Sequence, residues 1–375
     1  MSGLKQTRRA MRGFFVNPTQ LWEKVLTVAI NSNQYDVDLR IRVLIDLKTR
    51  DHTDLLQLAG ELSSTVYDDH ATHYRMHQLS ALIRKYPGLS LTGIKTPEEA
   101  ALSTFNYAEA KCRDTNERLR TEFLDEGRNG QASAIHYMRQ YLSYVLRNKQ
   151  DVDEDGLAPT PDLNLIAELS GFTGGASLGV HGNATNLYRK LRQGADGTGW
   201  TCTAQALPYF TAALWAHAQI RELILRDEEH DLVCYDMTEF VRRVHNSVKI
   251  VSYNKIAFAP KDATTLRTVA AEPSGNTFVL KGADLLLRSC LLRAGIDLTA
   301  QSPNCLMAYL GSRDWRTDDP YCTVDLRTAS GMLARLLPEL LVPPEWVEVL
   351  SALRASEYLM PDGTMGTYEC FASMG

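Results

Sequence analysis

From Lys249 to Ala271 the chain reads as a strand, a turn and a returning strand: Lys249 to Ala259 go out, Pro260 to Thr265 turn, and Leu266 to Ala271 come back. A second signal of this kind lies near the end, where Pro361-Asp362-Gly363 separates Tyr358-Leu359-Met360 from Thr364 to Phe371. Between and before them most segments carry apolar residues at helical spacing. Hairpins set among helices predict an α+β protein with a helix-rich N-terminal region.

Leu21, Trp22, Val25, Leu26 and Ala29 predict one apolar face of a helix over Gln20 to Ile30. Val37 to Leu47 fits a strand by the alternation of Val37, Leu39, Ile41, Val43 and Ile45, and fits a helix as well. Helices are predicted over Ala71 to Lys85 and Pro97 to Leu124, with Gly88 to Gly93 as the break between them. Further helices are predicted over Ala204 to Leu225, Phe278 to Leu292, Gly331 to Leu341 and Trp346 to Leu353.

With 375 residues the chain can bury a large core and divide into two or more lobes. The expected divisions are 1–150, 151–320 and 321–375. A net charge of -5 means that any nucleic-acid site must be a local basic patch. The 7 cysteines show no CxxC spacing, which fits a reducing compartment and argues against a zinc ribbon. Arg8, Arg9 and Arg12 are followed by no apolar run of signal-peptide length, and no segment approaches a membrane span. The expectation is a cytoplasmic protein.

Several local patterns bear on chemistry. Tyr321 to Leu326 predicts a strand that delivers Asp325 to a turn, where its oxygens can hold a divalent metal or cap the next helix. Lys255, Lys261 and Arg267 cluster about the first hairpin, a placement that suits a triphosphate or a nucleic-acid backbone, although an ordinary solvated surface is the commoner case. His70, His73 and His77 can share a helix face behind Asp68 and Asp69, although solvated helical histidines are commoner than metal ligands. Asp151 to Gly156 copies the first half of a calcium loop, but Pro159, Pro161 and Asp162 break the second half, which favours an acidic linker. Gly175-Ala176-Ser177-Leu178-Gly179 fits the G-x-S-x-G pattern of a serine hydrolase, with His181 nearby. The glycine-rich run from Gly171 to Gly182 favours instead a loop that contacts a ligand or another lobe.

Taken in order, these residues carry a family resemblance. Ala259-Pro260-Lys261, Arg267, Glu272-Pro273, Gly295-Ile296-Asp297-Leu298 and Thr323-Val324-Asp325-Leu326 with Ala329-Ser330 resemble the replicases of the single-stranded RNA bacteriophages. So do Leu341-Val342-Pro343-Pro344-Glu345-Trp346, Leu359-Met360-Pro361-Asp362-Gly363 and Ala372-Ser373-Met374-Gly375. The likeness is dense from about Lys249 onward and thinner through Phe172 to Ala176 and Ala108 to Cys112.

The resemblance implies an RNA-directed RNA polymerase with fingers, palm and thumb. Asp325 would be its catalytic and metal-holding aspartate, with Mg2+ as the cofactor. Lys261 and Arg267, with Lys255 beside them, would grip the triphosphate, and the turn at Ser373 to Gly375 would position template and ribose. The Gly171 to Gly182 loop becomes a fingers element. Partners would be RNA template, nucleoside triphosphates, the host elongation factors Tu and Ts and a host ribosomal protein, in the bacterial host cytoplasm. In two places the sequence departs from the family: Gly331 stands where a second acid recognises ribose, and Thr264 where a second base is found. No Gly-Asp-Asp turn occurs. The expectation is therefore an N-terminal portion of a replicase, comprising fingers and partial palm without thumb and inactive alone. The alternative class is a non-catalytic RNA- or host-protein-binding fragment.

Overall fold

The computed structural model describes residues 17–32, 34–93, 95–121, 130–147, 152–153, 156–157, 160–180, 186–195, 199–227, 232–313, 321–322, 324 and 328–373. Two compact units emerge. The first comprises 1–104 and 258–268, the second 105–257 and 269–375.

The first unit is built from helices α1 (Pro18–Asn31), α2 (Val37–Asp46), α3 (Thr53–Ser64) and α4 (His70–Arg84) and the start of α5 (Pro97–Leu119). Each start is chemically marked. Asn17, Asp36 and Asp69 accept the first free amides of α1, α2 and α4. Thr96 and Glu99 exchange side-chain bonds at 2.8 and 3.2 Å, a capping box for α5. The ambiguous Val37 segment is helical because Asp36 caps it and its Val43 joins a core with Leu26, Ile30, Leu55, Leu58, Leu79 and Ile83. The face predicted for α1 is only half right. Leu26 and Ile30 are buried, whereas Leu21 and Val25 are 49% and 39% exposed. The indole of Trp22 donates to the Leu82 carbonyl at 2.9 Å, which turns the helix toward α4.

The second unit takes the rest of α5 and then α6 (Gly130–Leu146), α7 (Leu163–Leu169), α8 (Leu187–Ala195), α9 (Leu207–Ala216) and α10 (Ala218–Leu225). The helix predicted as one over Ala204 to Leu225 is broken at His217, whose backbone is extended (φ -88°, ψ 103°). Next come α11 (Met237–Asn246), α12 (Ser274–Arg293), α13 (Ser302–Arg313), α14 (Leu336–Leu341) and α15 (Pro344–Leu353). Asp162, out of place for a calcium ligand, caps α7 by accepting from the Leu165 amide at 2.9 Å.

Helix α12 is the central beam. Phe278 packs edge-on against Phe172 and Phe210, and Val279, Ala283 and Leu286 are buried in the same core as Trp346 and Leu353. Gly282 lets α7 approach so closely that a Cβ there would lie 2.1 Å from the Ile166 carbonyl oxygen. Strand β1 (Trp200–Cys202) pairs in parallel with β2 (Val248–Ile250). Asn276 accepts from the Thr203 amide and donates to the Leu353 carbonyl, fastening α12 to the chain after β1 and to the end of α15.

The hairpin predicted first is β3 (Tyr253–Pro260) and β4 (Leu266–Ala271); the second is β5 (Glu357–Leu359) and β6 (Met365–Thr367). They form one sheet in the order β6-β5-β3-β4, with β5 antiparallel to β6 and parallel to β3 in the register Asn254 to Tyr358. Gly363 (φ +91°) makes the turn that Pro-Asp-Gly announces.

Two expectations fail in the same region. Of the strand expected over Tyr321 to Leu326, the described members Tyr321, Cys322 and Val324 lie outside any strand, and Val324 is 76% exposed. Thr323, Asp325 and Leu326 lie outside the described residues. The helix expected from Gly331 to Leu341 is a 3-10 turn at Ser330–Met332 and a short α14, because Ala334 between them bridges to Cys370.

Candidate nucleotide and RNA site

Alternation along β3 decides where its polar side chains go. Asn254 and Ile256 point inward and are buried, so Lys255 between them is exposed. Lys261, in the turn, and Arg267, second in β4, are exposed as well. Asp262 Oδ1 accepts from the Thr264 hydroxyl and from the Thr264 and Thr265 amides, at 2.8–2.9 Å. The Ala263 amide donates to the Arg84 carbonyl at 2.8 Å, tying the tip to the end of α4. Thr264 therefore shapes the turn and carries no charge of its own. The tip presents Lys261 and Arg267 on a backbone with few free torsions.

A buried polar cluster lies at the base of the hairpin. Glu272 follows β4 directly and is 6% exposed. Its Oε1 accepts from Asn254 Nδ2 at 2.6 Å and from the Ser373 hydroxyl. Tyr368 donates its own hydroxyl to Asn254 Oδ1 at 2.8 Å. Burial pushes the Glu272 carboxyl above the ordinary glutamate range, against the bonds from Ser373 and Asn254 and the nearby Arg354 charge. Ser373 is thus not a loose terminal serine. It is held from the side by a carboxyl that is itself held by a strand residue. Neither Asn254 nor Tyr368 stands out in the sequence; an amide at an inward position of a strand, beside a lysine at an outward one, is the available signal.

The glycine-rich loop belongs to this cluster too. The Leu178 amide donates to the Glu272 carbonyl at 2.8 Å, and Ser177 and Val180 exchange backbone bonds. Ser177 is 2% exposed, in an isolated bridge with Val180, and among the described residues no strand leads directly into it and no helix starts directly after it. A hydrolase elbow needs its serine raised at a strand-to-helix turn, so the serine-hydrolase reading is set aside; His181 lies outside the described residues. Two of the helical histidines approach each other. His73 and His77 rings are 4.2 Å apart, but among the described residues no three His, Cys, Asp or Glu side chains are grouped to hold a metal.

The Ala108 to Cys112 segment packs beneath Tyr368 to Cys370. Glu109 accepts from the Glu369 amide at 2.7 Å, and Asn116, about two turns further, donates to the Glu369 carboxylate and accepts from the Leu336 amide. Cys112 approaches the Gly331 carbonyl at 3.5 Å, and a Cβ on Gly331 would meet only Ala108, at 3.9 Å. The backbone at Gly331 thus leaves room for a larger side chain.

Asp325 and Gly375 lie outside the described residues. Three positions after Asp325, Thr328 has φ 57°, the only positive-φ residue other than glycine among the described residues. A β-branched residue in the left-handed region is strained, and such strain gathers at functional sites. Asn254, Glu272, Tyr368 and Ser373 are brought together on the second unit, with Lys255 on the outward side of β3; Lys261 and Arg267 sit on the part of the hairpin counted with the first.

Residues 34–375 match the family described as RNA replicase, beta-chain. The chain is 31% identical over 313 residues to the RNA-directed RNA polymerase subunit beta of Escherichia virus Qbeta, a span of 82% of this chain and 45% of that protein. With the subunit of the same name from Enterobacteria phage SP it shares 29% over 359 residues, 91% of this chain and 53% of the relative. The RNA-directed RNA polymerase beta chain of Escherichia phage MS2 is 28% identical over 204 residues, 54% of this chain and 33% of that one. The chain spans about half the length of the curated relatives it matches. A match that runs from the second helix through both hairpins, and takes in the buried cluster at Glu272 that joins them, makes this chain a member of the RNA replicase beta-chain family.

Proposed function

We propose that the chain forms the fingers and the first part of the palm of a right-handed RNA-directed RNA polymerase that copies a phage genome in the bacterial host cytoplasm. The observation that carries the reading is the family match over 34–375, with relatives named as polymerase subunits. Residues 1–150 and 151–320 would build the fingers and 321–375 would open the palm. No helix among the described residues is long and apolar enough to cross a membrane.

In this reading Lys261 and Arg267 hold the incoming triphosphate by charge-assisted hydrogen bonds, with Lys255 adding charge at the base of the hairpin. Ser373, fixed by Glu272, opens the turn that with Gly375 positions template and ribose. Asp325 is the carboxylate of the family's magnesium site found in this sequence; bound magnesium would polarise the attacking hydroxyl and neutralise triphosphate charge. No Gly-Asp-Asp turn accompanies it here, so this polypeptide by itself is expected to incorporate no nucleotide. Host elongation factors Tu and Ts and a host ribosomal protein are proposed as partners of the whole replicase.

The test is primed synthesis on a homopolymer template by the complete replicase containing this chain, with host factors present. Asp325→Asn should reduce incorporation to background. Undiminished incorporation by that variant would remove Asp325 from the reaction.

A further inference from the structure

The second unit holds a cavity of about 450 Å³ that no assigned motif explains, lined by Arg113, Arg120, Arg335 and Arg354 against Glu117 and Glu369. That volume is within the roughly 300–1,000 Å³ usual for small-ligand sites. Tyr368 is the sole large ring in the lining; Asn116, Ser356 and Thr367 supply amide and hydroxyl groups. Such a wall suits an anion and offers little to an apolar ligand.

Four guanidiniums converging on one space repel each other unless something negative balances them, and two carboxylates do so only in part. Glu369 is already engaged, by Asn116 at 3.0 Å and by Arg113 at 3.4 Å. Arg335 is shared with Glu339 at 2.8 Å. Arg120 is exposed and pairs with no acid among the described residues. Arg354 donates to the Cys370 carbonyl at 3.0 Å, while its Nε is buried with no partner among the described residues. Guanidinium charge thus exceeds carboxylate charge here, with one buried donor unsatisfied.

We propose that this cavity binds the phosphate groups of a nucleotide ligand. Guanidiniums meet phosphate oxygens in paired, charge-assisted hydrogen bonds. Arg113 lies on α5 and Arg120 just past its end, seven residues further along, a separation of about 10 Å along the helix direction. That spread fits successive phosphates of a single RNA strand better than one free triphosphate. The site does not depend on the polymerase reading, because none of its residues belongs to the proposed catalytic or triphosphate-gripping set.

Fluorescence anisotropy of a labelled single-stranded RNA tests this on the full chain, with unlabelled nucleoside triphosphate as competitor. Arg120→Gln should weaken RNA binding by about 10-fold and lower the slope of log affinity against log salt by about 0.7, the value for one lost phosphate contact to a single strand. Glu117→Gln, which removes opposing charge, should tighten binding, a gain that misfolding cannot mimic. Competition by triphosphate, together with loss of labelled-triphosphate binding in Arg120→Gln, would assign the phosphate to a free nucleotide; absence of competition assigns it to the strand. Affinity unchanged in both variants for both ligands would overturn the proposal. Asp325→Asn reads the catalytic proposal through incorporation, whereas Arg120→Gln and Glu117→Gln read this site through anisotropy, so the two failures are separable.

Discussion

Replacing Glu272 by alanine or by glutamine separates its packing from its charge. In Glu272→Ala the amide of Asn254 loses its acceptor, and at 0% exposure it has no route to water. A buried donor left unpaired costs about 1–3 kcal/mol, and the vacated space adds on the order of 1 kcal/mol. Ser373 is only partly buried and can turn to solvent. The expected loss is therefore roughly 2–4 kcal/mol. Glu272→Gln keeps an acceptor oxygen for Asn254 and Ser373 and removes an ionisable group from a buried position. Its stability at neutral pH should lie within about 1 kcal/mol of the parent or above it. Because burial raises the Glu272 value in the folded state, the folded protein keeps a proton that the unfolded chain releases. The stability this confers is present below the unfolded value and is lost as pH rises through the folded one. The parent should thus lose stability relative to Glu272→Gln across that window and hold a constant difference beyond it. Urea unfolding of all three proteins at a series of pH values reads both effects. Glutamine as damaging as alanine at neutral pH, or a parent-to-glutamine difference independent of pH, would refute the reasoning.

Gly282→Ala places a methyl 2.1 Å from the Ile166 carbonyl and 2.7 Å from Ser170 Oγ, so α7 must retreat from α12. A loss of about 1–3 kcal/mol, the usual cost of overpacking, should appear as a lowered midpoint in thermal melting. Arg267→Ala in the complete replicase should raise KM for nucleotides by roughly 10-fold or more, as for a lost charge-assisted phosphate bond of about 1.5–3 kcal/mol, with the fold unchanged because the side chain is exposed. Steady-state kinetics at varied nucleotide checks it.

What could be read in advance was local. The Pro361-Asp362-Gly363 turn is there because its glycine must take positive φ, and Lys255 is outside because strands alternate. What could not be read depended on distant partners. Leu21 and Leu26 lie on one broad apolar arc, and only the bond from Trp22 to Leu82 decides which side turns inward. The helix expected through Gly331 to Leu341 is interrupted because Ala334 has a better bond with Cys370. Glu272 reads as an acid before a proline until Asn254 and Ser373 close on it from either side. The arginine cavity draws on residues from 113 to 354, far apart in the chain, so no window of sequence contains it.

The parallel pairing of β3 with β5 also sets a schedule for the ribosome. Tyr253 waits for Glu357, about a hundred residues later, and Asn116 for Glu369, a separation of 253. At roughly 5–20 residues per second, one side of β3 stays unpaired for several seconds or more after the strand is made. During that interval the strand is an open template for other nascent chains on the same message. The exposed Lys255, set between two inward side chains, puts a charge on that waiting edge. Slower translation through α13 to α15 should therefore cost more soluble protein than the same delay placed after Phe371.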